Sequence, residues 1–183
     1  MAAPKGLKTT SSPIQISALV EESGVNTFTT EEIPLTLNVL DNEVFVITQI
    51  NIDVESPDLL FSAAAPGTQN RQTLASLSTT NRQTVGGIND ANVVGSAARQ
   101  IICHQDAAAT AGVAAVTFDR EDPQFAAISE DYLAIVATNN MFLNVQGIDN
   151  LLSKSARVRV YGYRASAGAA VYAALVQSEL LSA

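Results

Sequence analysis

The chain reads as an all-β protein, an antiparallel β-sandwich of about eight strands closed by a C-terminal helix. Three observations point there. Apolar residues recur at every second position in several short segments separated by turn residues. The strand–helix alternation that builds a parallel sheet is missing. Helical spacing is confined to an Ala-rich stretch at the end, Ala165 to Leu181.

Residues 1–13 read as a flexible arm, because Pro4, Gly6 and Pro13 interrupt a stretch with no hydrophobic period. Ile14, Ile16, Ala18 and Val20 then alternate with polar partners and predict a strand. Gly24-Val25-Asn26 suits a turn, Leu35, Leu37 and Val39 alternate again, and Asp41-Asn42 marks the next turn. The strongest signal is residues 43–55. Val44, Val46, Ile50, Ile52 and Val54 share one parity with Thr48 in the gap, against Glu43, Gln49, Asn51, Asp53 and Glu55 on the other. That pattern predicts a single long strand with its aliphatics on the core face and its acids in water. Phe45 and Ile47 break the alternation and predict that the early half of the strand is covered on both faces.

Residues 62–100 are dominated by Ala, Ser, Thr, Asn, Gln and Gly, which predicts long surface loops holding one or two short strands. Ile101 to His104 and Gly112 to Phe118 are compatible with strands, and Asp119 to Pro123 reads as an acidic turn. Tyr132 to Ala137 is a short apolar strand. Met141, Leu143 and Val145 share a face opposite Asn144 and Gln146. Arg157, Arg159, Tyr161 and Tyr163 alternate with Val158, Val160 and Gly162, a clean strand that ends the sandwich expected over 14–164. In the helix expected over 165–183, Tyr172, Leu175, Val176 and Leu180 fall on one side.

A chain of 183 residues can bury a core without disulfides or metals. Hydrophobic residues are 47%, which excludes a disordered chain, and charged residues are only 15%. Ten basic and 18 acidic residues give a net charge of −8, which argues against a strong nucleic-acid binder. The single Cys excludes an internal disulfide and a multi-cysteine zinc site. The first residues lack the apolar core of a secretory signal, and no stretch reaches the ~20 apolar residues of a membrane helix.

No motif names a reaction. Cys103 and His104 could suggest a thiol–imidazole pair, but neighbours on a strand point to opposite faces. Gly-x-Ser-x-Gly, phosphate-loop and His-Glu-x-x-His patterns are absent. No catalytic residue and no cofactor are therefore expected. Asp119, Glu121 and Asp122 offer hard oxygen ligands for Ca²⁺, but they lack the EF-hand spacing and its Gly, and a solvated acidic turn is the preferred reading. Lys154, Arg157, Arg159 and Arg164 form a basic island, with no acid between Asp149 and Glu179. They fit a contact with an acidic neighbour, such as the strand face of another copy that carries Asp53 and Glu55, or the charge protection common on edge strands.

A short arm, about eight antiparallel strands, long polar loops and an Ala-rich close resemble the single jelly-roll coat (capsid) proteins of icosahedral viruses. The resemblance is carried by Glu43–Glu55, Tyr132–Ala137, Met141–Val145 and the strand Arg157-Val-Arg-Val-Tyr-Gly-Tyr-Arg164 running into the helix. It covers roughly residues 14–183. It implies a structural virion protein that is not an enzyme: a capsid subunit made in the host cytoplasm that assembles with copies of itself, and with other virion proteins, into an icosahedral shell. The arm departs from coats that condense single-stranded RNA, because it carries only Lys5 and Lys8, and this leans toward a DNA virus. The alternative is a β-sandwich that binds a carbohydrate or receptor, which the absence of Trp disfavours. A cupin-like enzyme would need two or more His ligands, and the chain has one.

Overall fold

The computed structural model describes residue 4 and residues 6–58, 67–105, 114–121, 124–125 and 132–181. Within them the chain forms β1 (Leu7–Thr9), β2 (Ile14–Glu21), β3 (Thr29–Pro34), β4 (Glu43–Val54), β5 (Gly67–Ser78) and β6 (Val93–Gln105). There follow β7 (Ala114–Glu121), β8 (Gln124–Phe125), β9 (Ala134–Val136), β10 (Asn140–Ile148), β11 (Ser155–Ala167) and helix α1 (Ala169–Leu181).

The pairing is nested. β2 pairs with β11, β3 with β10, β4 with β9 and β5 with β6, all antiparallel. β4 also pairs with β11, and β5 with β10. The chain is thus a long hairpin rolled into two stacked sheets, which is the jelly roll. Sheet one runs β2–β11–β4–β9, with β1 extending the β2 side and β8 the β9 side; sheet two runs β3–β10–β5–β6–β7. β1, β7 and β8 add to the eight strands expected.

The inter-sheet core takes Phe45, Ile47, Ile50, Ile52 and Val54 from β4 and Ala156, Val158 and Val160 from β11. Sheet two adds Ile33, Ala75, Leu77, Ala97, Met141, Leu143 and Val145. The early half of β4 is covered on both faces, as Phe45 and Ile47 predicted. However, Val44 and Val46 do not share the core face with Ile50, Ile52 and Val54. They lie on the outer side, in a second cluster with Ala137, Tyr163, Ala165 and Ala167.

The reason is one extra residue. Tyr161 pairs with Gln49 and Gly162 with Ile47, so Thr48 bulges from the ladder. Its hydroxyl donates to the Tyr161 carbonyl (3.2 Å), and beyond it the strand's parity inverts. Gly162 is the matching half of this device. A Cβ there would strike the Val46 carbonyl and lie 2.8 Å from two carbons of the Phe45 ring.

Helix α1 covers the second cluster with Tyr172, Leu175 and Val176. Leu180, expected beside them, has a side chain outside the described residues. Glu179 completes the buried face. Its carboxylate accepts the amides of Ala137 (2.8 Å) and Thr138 (3.1 Å). The helix starts at Ala169 rather than Ala165, because Ala165 and Ser166 still pair with Val44 and Glu43.

Two further expectations are corrected. The segment 62–100 is not mainly loop: it holds β5 and the start of β6, twelve and thirteen residues long. Gly95 is small on the core face because Ile50 and Ile52 project onto it, Ile52 lying 3.3 Å from where a Cβ would stand, and Ala75 and Ala97 share that face. The opposite face carries buried Ser76, Ser78, Ser96 and Asn144, beneath the 79–92 connection. Arg82 organises that connection through Asp90 (2.8 Å) and Asn92 (2.6 Å), and the Gly86 amide donates to Ser76 (3.1 Å). The arm, in turn, is fastened from Leu7 onward. β1 pairs with Ala165–Ala167, and the Thr10 and Ser11 amides donate to the Arg164 carbonyl.

Gly162→Ala is expected to lower stability by about 1–3 kcal/mol through overpacking against backbone. Urea unfolding followed by circular dichroism checks it; an unchanged midpoint would remove the proposed tight approach of β11 to Phe45.

Candidate functional site

One end of the sandwich is closed by a polar network. Glu22, 6% exposed, accepts the amides of Gly147 (2.5 Å) and Lys154 (2.8 Å). The Asn26 side chain donates to the Asn150 carbonyl and accepts the Asn150 amide, both at 2.9 Å. Asn150 also donates to the Gln72 carbonyl (2.7 Å) and accepts the Asp58 amide (3.1 Å). Asp58 holds the tip of the β10–β11 connection by accepting the Leu151 (2.7 Å) and Leu152 (2.9 Å) amides. The backbone here is bent tightly, with Asn26 and Asp149 both at positive φ, a conformation these short polar residues tolerate. The result is a fixed loop that presents Leu151 and Leu152 to water, 51% and 61% exposed.

Lys154 belongs to this network and not to a surface island. It is 3% exposed, and its ammonium lies 2.6 Å from Asp58 and 3.8 Å from Glu55. Glu55 also accepts the Ser155 amide and hydroxyl, so both are engaged within the fold. Arg164 is likewise occupied, donating to the Leu35 carbonyl (3.1 Å) and Thr36 hydroxyl (2.6 Å) at the opposite end. Arg157 and Asp53 face each other on neighbouring strands of the same chain, 3.7 Å apart and both more than half exposed. Arg159 is exposed and has no acceptor among the described residues. Of the proposed contact residues, the structure therefore leaves Arg157, Arg159 and Asp53 on an open platform. Three cross-strand rows build it: Leu19–Arg157–Asp53, Ser17–Arg159–Asn51 and Gln15–Tyr161–Gln49.

The acidic turn expected from Asp119 is strand up to Glu121. Asp119 sits opposite Arg99, with 3.1 Å between carboxylate and guanidinium. Glu121 is the last residue of β7, and Asp122 lies outside the described residues. The Ca²⁺ reading thus has one of its three carboxylates engaged with a cation. Cys103 is buried, and burial pushes its thiol above the ordinary value, against a tendency of Arg71 to lower it. No helix among the described residues is long and apolar enough to cross a membrane.

Sequence reasoning missed Glu22, Asp58, Asn150 and Glu179. Asp58 carried a faint signal, since it follows Pro57 at a strand end; Glu179 carried one as the sole charge in the helix.

No family model matches the chain, and no curated protein matches it. Among solved structures it is similar to apo chimpanzee polyomavirus VP1, at 8% identity over 92% of this chain and 98% of that one, with a TM-score of 0.36. A looser likeness is to infectious bursal disease virus Gt strain, at 9% identity over 90% of this chain and 41% of that one, TM-score 0.12. The jelly roll itself rests on the nested strand pairing.

Burial raises the Asp58 pKa, but the Lys154 hydrogen bond, the Leu151 and Leu152 amides and the Lys154 charge outweigh it and hold the carboxyl below its ordinary value. A depressed carboxylate stabilises the fold above its unfolded pKa of about 3.9 and loses that contribution as pH falls through the folded value. The urea midpoint is therefore expected to fall on acidification below about pH 5. Asp58→Asn lowers the midpoint at pH 7 and flattens the acid limb; an acid limb as steep as the wild type's contradicts the assignment. Lys154→Met, which strands buried carboxylate charge, is expected to cost about 3–5 kcal/mol in the same assay.

Proposed function

We propose that the chain is a structural virion protein, a coat subunit that packs side by side with copies of itself into a closed icosahedral shell, and that it has no catalytic role. The observation that carries this reading is the jelly roll's ordered apolar tips. Leu151 and Leu152 stand out at one end. Leu40, 94% exposed, and Ile88, 70% exposed, stand out at the other. Each sits on a connection pinned by its own hydrogen bonds. The Asn38 side chain accepts the Leu40 amide (3.2 Å), and Asp90 accepts the Gly87 amide (3.3 Å). Adjacent exposed aliphatics on a pinned loop, as at Leu151 and Leu152, suit a surface that another molecule covers. Rigidity helps, because little loop entropy remains to be lost on docking.

The outward face of α1 fits the same reading. Val171, Ala173, Ala174, Gln177 and Ser178 are exposed and uncharged, which permits close approach of a neighbour. The net charge of −8 leaves genome packaging to other virion components. The reading places the protein in the virion, after synthesis in the host cytoplasm.

Size-exclusion chromatography with light scattering, followed by negative-stain microscopy, tests this across protein concentration, salt and Ca²⁺. Closed particles of uniform diameter are expected. A strict monomer under every condition would overturn the reading. Monomers that bound immobilised glycans instead would favour the attachment module.

A further inference from the structure

β2 and β3 are the edge strands of the two sheets on one side of the sandwich. A cleft of about 380 Å³ lies between them, lined by Ile16 to Leu19 and Glu31 to Pro34. Its lining mixes polar and apolar groups: Ile33 is buried, Ile16 and Ala18 are half-buried against the main core, and Ser17, Glu31 and Glu32 stand beside them. Glu31 shares the strand parity of Ile33 and so belongs to the inner face of β3, yet it is exposed and has no donor among the described residues. Inward-facing charge at a sheet edge can serve to deter aggregation. An apolar floor beside an open carboxylate also has a specific complement: a side chain with an aliphatic stem and a cationic head.

The same chain carries that complement. Among the described residues Arg71, Arg82, Arg99, Lys154 and Arg164 are engaged inside the fold. Arg159 has no internal acceptor and stands on the rigid centre of β11, one strand in from the β2 edge. Arginine is also the side chain best suited to an interface ion pair, because its planar fork matches a carboxylate.

We propose that Arg159 of one copy enters the β2–β3 cleft of the next and pairs with its Glu31, so that the open edge of each subunit leans on the outer face of sheet one of its neighbour. This deepens the coat-subunit reading and rests on it. The contact is heterologous, since the two halves lie at different places on one molecule. It therefore generates a ring or closed shell where the rotation between copies permits closure. Leu19, 46% exposed beside Arg157 in the strand register, lies on the rim that the contact would cover.

The test is a charge swap in the full-length chain. Arg159→Glu and Glu31→Arg are each expected to raise the concentration needed for assembly on the order of tenfold, because a like-charge pair replaces an opposite one. The double variant, R159E with E31R, is expected to recover most of that loss. Wild-type assembly should also weaken as salt rises from about 0.05 to about 0.5 M, over which the screening length falls from about 14 to about 4 Å, whereas assembly of the singles should not weaken further. Circular dichroism on all four chains confirms folding, and both sites are exposed, so substitution leaves the core intact. If the wild type assembles and either single variant assembles equally well, the contact is refuted while the coat-subunit reading stands. If both singles fail and the folded double does not recover, the pairing is refuted. A wild type that never assembles refutes the reading and the contact together.

Discussion

One extra residue in the central strand decides which side chains meet which core. Thr48 breaks the alternation of β4, so Phe45 and Ile47 join Ile50, Ile52 and Val54 between the sheets while Val44 and Val46 turn outward. Without that inversion the early half of β4 would turn over, placing Phe45 and Ile47 under α1 and the smaller Val44 and Val46 between the sheets. Gly162 makes the inversion feasible by leaving room for the Val46 carbonyl and the Phe45 ring against the neighbouring strand. Which β4 side chains meet the helix, Val44 and Val46, follows from this single irregularity.

The two halves of sheet one's outer face consequently have different tasks. Past the bulge, toward Val44 and Ala165, the face is a packed interior under the helix. Before it, the rows through Arg157, Arg159 and Tyr161 lie open as a flat polar platform. The ends of the sandwich are equally divided between stiffness and display. Buried Glu22 and Asp58 fix backbone amides, Lys154 pairs with Asp58, and the tip they fix presents leucines to solvent. A subunit built this way brings preformed surfaces to an assembly, and so loses little conformational freedom when it docks.

Much of this was legible in the sequence where a strand has one wet face. Met141, Leu143 and Val145, or Val158 and Val160, alternate cleanly because polar neighbours mark the other side. Legibility failed where both faces of a strand are covered or where packing demands small residues. The parity of Val44 and Val46 matched that of Ile50, and nothing local distinguishes Thr48 as a bulge from Thr48 as a gap in a regular strand. β5 and β6 were hidden because Ala75, Gly95 and Ala97 are core residues without hydrophobic bulk, and Ser76, Ser78 and Ser96 are buried without being apolar. The basic island was visible as composition, but composition could not say that Lys154 is interior, that Arg164 braces the Leu35–Thr36 turn, and that only Arg157 and Arg159 remain outside. Ion pairs between residues some hundred positions apart, such as Lys154 with Asp58, leave no local trace.

The division of β4 between two cores is tested most directly by thiol protection. In a Cys103→Ala background, Val46→Cys and Ile47→Cys are labelled under native conditions, in the full chain and in a chain ended at Gly168. Both thiols should be protected in the full chain. Removing the helix should expose Cys at position 46 alone, with position 47 still shielded between the sheets. Equal labelling of the two positions, or selective exposure of position 47, would contradict the account.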